Sequence, residues 1–238
     1  MEELTVSREH QTNRLLLIRI LMRLVIFIIS LEALLFLAAG TISWVRGWIY
    51  LGLWTFTTLV NSAILFAVNP AIIVTRMEGQ RPTELVDKIL AVLAIPVTLI
   101  TPVLAGLDAV RYKLTTLPFW WTFVGITLHL VGDIFIVWST ATNPFVEKIV
   151  RIQKERGHHV ITTGPYAIVR HPMYLGTLLL TAGAPLILGS LWTYLTMGGL
   201  TTLLIVRTAW EYRLLQRDLP GYEEYTHKTE YRLLPGVW

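Results

Sequence analysis

Six apolar stretches constrain what this chain can fold into. Runs at about 15 to 39, 45 to 68, 86 to 107, 118 to 140 and 191 to 213 each reach the roughly 20 residues that a helix needs to cross ~30 Å of hydrocarbon. A sixth, at about 173 to 188, is shorter. Water is absent from such a solvent, so each run has to satisfy its own backbone, and helices do this within one segment. The expected fold class is therefore an all-α integral membrane protein with about six transmembrane helices. Its partner is the lipid bilayer. Hydrophobic residues at 54% and charged ones at 15% agree with that. The first run follows Arg14, is interrupted by Arg19 and Arg23, and lacks a short apolar core with a small-residue cleavage site, so it reads as an anchor and not a removable signal.

The charges fix an expected orientation. Arg8, Arg14, Arg19 and Arg23 precede or enter the first run, Arg76, Arg81 and Lys88 lie between the second and third, and Lys148, Arg151, Lys154, Arg156 and Arg170 lie between the fourth and fifth. Arg213, Arg217, Lys228 and Arg232 follow the last. The alternate connections carry only Arg46, then Arg111 and Lys113, then none at 189/190. By the excess of Lys and Arg on cytoplasmic segments, both termini and the polar stretch near 160 should be cytoplasmic. A prokaryotic plasma membrane is the expected location. The net charge of +4 is spread by topology and not gathered on one helix or tail, so no nucleic-acid partner is expected. No obligate protein partner is evident. The absence of cysteine excludes disulfides, thiolate nucleophiles and cysteine-bound metal.

Two parts follow: residues 1–140 with four spans, and residues 141–238 with a helical hairpin at 172–213 and a C-terminal tail. The second part holds the chemistry. Between Gly157 and Gly176 stand three His, one Arg and two Tyr. Gly164-Pro165 marks a turn, and Pro172 suits the first turn of a helix. Arg170 and His171 should then sit at a helix N-terminus, which favours an anionic group. Gly189-Ser190 is the only break between the last two runs, so they should fold back as a tight antiparallel pair, the first arm kinked near Gly183 and Pro185. Arg207 and Glu211 share a helix face. The reversal should return them to the level of Arg170, His171 and Tyr174. Residues 142–157 could form a short helix on the membrane surface, and the tail from Tyr212 to Trp238 should pack over the hairpin mouth.

Glu32, Asn61, His129 and Asp133 lie in or near spans, where a charge needs a partner. Helix-to-helix hydrogen bonding is the favoured explanation, with His129 and Asp133 able to bond each other. Trp44, Trp48, Trp120, Trp121, Trp138 and Trp192 fit interfacial anchors. No metal site is expected, because His158, His159 and His171 lack a further ligand in a zinc-like pattern.

These residues resemble the membrane methyltransferases that include isoprenylcysteine carboxyl methyltransferase and the phospholipid N-methyltransferases. The likeness rests on His158-His159-Val160-Ile161-Thr162-x-Gly164-x-Tyr166, Arg170-His171-Pro172-x-Tyr174-x-Gly176, Arg207-x-x-x-Glu211, Gly221-Tyr222-x-x-Tyr225 and the closing Arg-Leu-Leu-Pro. It implies an S-adenosyl-L-methionine cofactor, held by His158, His159, Val160, Ile161, Gly164, Tyr166, His171, Pro172, Met173, Tyr174 and Glu211. It implies that Arg207 faces an amphiphilic or lipidated substrate, with Arg207 and Glu211 catalytic, and that an upstream Gln, here Gln153, touches the cofactor. Arg207 could orient a carboxylate or hold a lipid phosphate. Carboxyl methylation of a prenylcysteine-type acceptor is the nearest named activity. Phospholipid amine N-methylation, an NADPH-dependent sterol-type reductase and a non-catalytic scaffold or transporter are the alternatives.

Overall fold

The computed structural model describes residues 28–68, 85–147 and 151–238, together with Met22, Val25 and Ile26. The expectations for Arg8, Arg14, Arg19, Arg23, Arg76, Arg81 and Lys148, and for the start of the first span, lie outside the described residues. The helices are α1 (Ile28–Ala39), α2 (Val45–Val68), α3 (Leu85–Gly106), α4 (Trp121–Thr142), α5 (Pro172–Leu188), α6 (Thr193–Asp218) and α7 (Tyr222–Lys228). A π-helical turn, Leu107–Arg111, extends α3, and 3₁₀ turns occur at Lys154–Arg156 and Gly164–Ala167. Regular structure among the described residues is entirely helical.

Three of these helices are long and apolar enough to cross a membrane: Val45–Val68, Val92–Arg111 and Trp121–Thr142. The segments Ile28–Ala39 and Pro172–Leu188 are apolar but shorter, and α6 is 26 residues long with charges in its second half. Phe56, Phe66, Val92, Ile95, Phe123 and Ile134 are all exposed. So much outward apolar surface needs lipid to cover it. The chain is a membrane protein. Not every expected anchor faces outward, however: Trp48, Trp120 and Trp192 are exposed, whereas Trp44 is buried in a core with Leu35, Ala39, Leu51, Ala105 and Leu188.

The most extensive helix contact is between α4 and α5, and small residues account for it. Gly125 and Gly132 lie seven apart on α4, Gly176 and Gly183 seven apart on α5, and the antiparallel helices oppose Gly125 to Gly183 and Gly132 to Gly176. A Cβ on Gly125 would lie 2.6 Å from the Gly183 carbonyl oxygen, and one on Gly132 2.5 Å from that of Gly176. Side-chain absence lets the two backbones touch, the usual basis of close helix packing in lipid. Gly183 therefore serves as a contact surface. Pro185 sits inside the continuous helix, near its end.

The reversal after α5 follows the expected chemistry. Gly189 is left-handed with φ 76°, and its N–H donates to Pro185 O at 2.9 Å. Its tightness depends on a residue that the sequence did not single out. Asp108, buried in the π turn, accepts at Oδ2 from Ser190 Oγ (2.6 Å), Thr115 Oγ1 (2.8 Å) and Trp192 N (3.2 Å). Of the four intramembrane polar groups, Glu32 lines a cavity, while Asn61, His129 and Asp133 bond between helices, as favoured. Their partners differ from those expected, since Asn61 Nδ2 donates to Asp133 Oδ1 at 2.6 Å and His129 Nε2 meets Thr57 Oγ1 at 3.4 Å. His129 and Asp133 thus reach across to α2. Residues 142–157 form no surface helix among those described: Asn143 to Glu147 are turn and coil, and only Lys154–Arg156 is helical.

Candidate active site

Pro172 takes the first position of α5, with His171 as its N-cap residue. Ahead of them the chain would fray without partners for its backbone, and the tail supplies those partners. Arg170 N donates to Tyr231 O and His171 N to Arg232 O, both at 2.9 Å, while Arg170 Nη2 donates to Glu230 O at 2.9 Å. The Arg232 guanidinium lies 4.0 Å from the Tyr212 ring centre and that of Arg170 lies 5.0 Å from it. Tyr225 donates its hydroxyl to Tyr166 O at 2.6 Å. The tail thus packs against the hairpin mouth, as its Tyr and Leu content implied.

At that mouth the two hairpin arms meet through three polar side chains. Tyr174 on α5 donates its hydroxyl to Glu211 Oε2 on α6 at 2.5 Å, and Arg207 Nε donates to the same hydroxyl at 2.9 Å. His171 lies with its ring parallel to that of Tyr174, interplanar angle 1° and centres 5.6 Å apart, and its Nδ1 is 4.0 Å from Glu211 Oε1. Burial, with the charges of Arg170 and Arg232 adding to it, pushes the His171 pKa down to about 3, so the ring is neutral at ordinary pH. Its buried Nε2 has no partner among the described residues.

This cluster borders a pocket whose open space, mouth included, is about 800 Å³. His158, His159, Val160, Ile161, Tyr166, His171, Pro172, Met173, Tyr174 and Glu211 all line it. Gly164 and Arg207 do not. Gly164 is left-handed, φ 60°, and shapes the turn that presents Tyr166, and Arg207 stands behind Tyr174. Gln153 does not line the pocket either: its buried amide donates to Phe145 O at 2.7 Å and accepts from Arg156 Nη1 at 2.7 Å. Its role is to hold the loop.

Other lining residues escaped the sequence reading. Phe145 stacks on His158 with ring centres 4.4 Å apart, Glu147 pairs with Arg151 at 2.8 Å, and Asn143 donates to the Tyr166 hydroxyl at 3.1 Å. Tyr222, Tyr225 and Leu219 close another wall. The Gly-Tyr-x-x-Tyr spacing was the one signal for the tyrosines. Burial holds the His158 pKa down and pushes that of Tyr225 up to about 12. The pocket therefore combines aromatic and imidazole rings with two carboxylates: Glu147, paired with Arg151, and Glu211, in contact with the buried Tyr174 hydroxyl.

A second cavity, about 980 Å³ with its opening, lies deeper between the hairpin arms and α1 to α4. Leu51, Trp54, Pro102, Leu180, Ala184 and Met197 are among its predominantly apolar walls. Leu180 and Ala184 follow Tyr174 by about two and three helical turns, ~10 to 15 Å along α5. The core around Leu35 and Leu188 bounds its far end.

Fold and site together define a helical membrane protein with a mixed polar and aromatic pocket above an apolar one. Residues 120–220 match the family model for phospholipid methyltransferase, a stretch that runs from the start of α4 through the end of α6. The chain is also 33% identical over 72 residues to protein-S-isoprenylcysteine O-methyltransferase B of Arabidopsis thaliana, a match covering 29% of this chain and 36% of that one. It thus spans about a third of that relative's length. Over this C-terminal stretch the chain is thus similar both to phospholipid methyltransferases and to an isoprenylcysteine methyltransferase.

Proposed function

We propose that this protein is an integral membrane methyltransferase that uses S-adenosyl-L-methionine on a lipidic or lipidated acceptor, most like carboxyl methylation of a prenylcysteine-type substrate. The observation that carries the reading is the chain Arg207 to Tyr174 to Glu211 at the mouth of the hairpin, beside a polar pocket and above an apolar one. We further propose six spans, with both termini and the polar pocket on the cytoplasmic side.

The pocket's chemistry suits that cofactor. Glu211 offers a carboxylate to an ammonium group, the backbone of residues 158–161 offers polar groups at one edge, and Phe145, Tyr166 and Tyr222 offer rings. When bound, S-adenosyl-L-methionine supplies a methyl group on a positively charged sulfur. His171, neutral and stacked on Tyr174, adds no repelling charge beside a cation. Arg207 would orient the acceptor carboxylate, already ionised, toward that methyl group. No proton has to move. The tail and the rings keep water from the reacting atoms, so these residues act by positioning and exclusion. The acceptor's hydrocarbon tail occupies the deeper cavity.

The family match also supports phospholipid amine N-methylation, in which Arg207 binds a phosphate and Glu211 or a histidine takes the amine's proton. Membranes incubated with methyl-labelled S-adenosyl-L-methionine, then extracted for lipid and for protein, separate the two. Label in a base-labile ester supports the carboxyl reading, and label stable to base in phospholipid supports the amine. Stabilisation of the purified protein by NADPH and none by S-adenosylhomocysteine would replace both with a reductase. The scaffold or transporter alternative is less well supported, because His129 and Asp133 are engaged with Thr57 and Asn61 in helix-to-helix bonds.

A further inference from the structure

We propose that Tyr174 couples the two ligand sites of this reaction, so that filling the cofactor site strengthens binding of an anionic acceptor at Arg207. The proposal rests on the methyltransferase reading above. Its basis is the direction of two hydrogen bonds. A phenol has one proton, and the geometry assigns it to Glu211 Oε2; toward Arg207 Nε–H the same oxygen can only accept. One hydroxyl therefore joins the anion that faces the cofactor to the cation that faces the acceptor.

Tyr174 is well held for that role. It is buried, its ring lies flat against that of His171, and its helix is fixed to α4 through Gly132 and Gly176, less than one turn along. Arg207 and Glu211 come from the opposite arm. The hydroxyl is thus a fixed point on one arm that engages two charges on the other.

The sign of the coupling follows from electrostatics. With the cofactor site empty, the Glu211 carboxylate draws on the Tyr174 hydroxyl, which in turn holds the Arg207 guanidinium, and the positive charge is partly neutralised through the chain. An ammonium group at Glu211 competes for the carboxylate and supplies its own positive charge. Less negative field then reaches Arg207, and an anion there is bound more strongly. Coupling of this kind is reciprocal, so the acceptor must strengthen cofactor binding by the same factor. An acceptor without an anionic group gains nothing. Tyr174 is a positioning residue in this scheme, because it acts on the acceptor through Arg207.

The test uses the full chain in detergent, S-adenosylhomocysteine as the cofactor probe and a prenylated thioether carboxylate as the acceptor probe. Acceptor affinity in the wild type should rise about fivefold or more when S-adenosylhomocysteine is saturating. The reverse titration should give the same factor. In Tyr174→Phe, which keeps the ring, both ligands should still bind and the factor should fall by half or more, with the unliganded Tm lowered by the loss of a buried hydrogen-bonding group. Arg207→Lys should then cost less turnover in the Tyr174→Phe background than in the wild type. If Tyr174→Phe fails to fold, Glu211→Gln at saturating S-adenosylhomocysteine should abolish the coupling instead. A wild type that binds both probes with a factor near one, or a Tyr174→Phe protein that retains the full factor, overturns the proposal and leaves the methyltransferase reading intact. A wild type that binds no S-adenosylhomocysteine overturns that reading itself.

Discussion

Helix α5 has two unlike sides. Toward α4 it presents Gly176 and Gly183, and the backbones meet with no room for a single added carbon. Toward α6 it presents Tyr174 at the mouth and Leu180 and Ala184 further down, and there the packing leaves a polar contact above a cavity. One side is a rigid mount. The other is a place for ligands. A chemical group can be aimed only from something that does not move, so the tight seam on one side is what makes the loose one useful.

That contrast can be broken from either side. The largest expected effect is at the mouth: Glu211→Ala removes the one carboxylate that touches Tyr174, and affinity for S-adenosylhomocysteine should fall about 100-fold, ~2.7 kcal/mol, in a direct titration. Next is the seam, where Gly176→Val would drive carbon into the α4 backbone and should destabilise by about 2 kcal/mol or more, read as a lowered Tm. Gly198, where an added Cβ meets nothing within 4 Å, is the control. Gly198→Ala should be neutral or slightly stabilising. An unchanged Tm in Gly176→Val would remove the idea of a rigid mount.

Arg207→Lys keeps the charge and loses the planar fork, so turnover should drop about tenfold, ~1.4 kcal/mol, with cofactor affinity little altered. Equal turnover in the two proteins would take acceptor orientation away from the guanidinium. A smaller effect concerns pH. The folded pKa of His171 is about 3, below the ordinary value of ~6.5, so the unfolded chain binds the extra proton as pH falls between those values. Stability should be intact above pH ~6.5 and decline below it, by about 1 kcal/mol between pH 6.5 and 5.5. His158, also held down, acts in the same sense. The decline should be shallower in His171→Asn, and an equal slope would mean that the ring is not held neutral by burial. Smallest of all, Ala184→Phe should fill part of the deeper cavity and shift the acceptor preference a few-fold toward shorter tails, measured as a ratio of kcat/KM values.

Much of this was legible in order along the chain. The run expected at 45 to 68 is the helix Val45–Val68, and the turn at Gly189-Ser190 reverses the hairpin as its residue types require. The spacing of Arg207 and Glu211, with the length of the two arms, was enough to bring them opposite Tyr174. Individual partners were less legible. His129 and Asp133 share a face and could have paired, yet each finds a residue on α2. Trp44 reads as an interfacial anchor and is core, and the contact that Gly183 makes with α4 had no signal of its own. Asp108 carried no signal at all, since a single acid near the end of an apolar run says nothing about the turn, more than eighty residues later, that it holds.

Periodicity, apolar length and turn residues are local quantities, so the sequence determined the class of protein, the positions of the helices α2 to α6 and the segment that carries the polar chemistry. The tertiary structure decided which surfaces meet: the glycine seam between α4 and α5, the tail paired to Arg170 and His171, and the hydroxyl of Tyr174 between Arg207 and Glu211. Such contacts depend on distances between residues far apart in the chain, and any one residue type is compatible with many partners until packing selects among them.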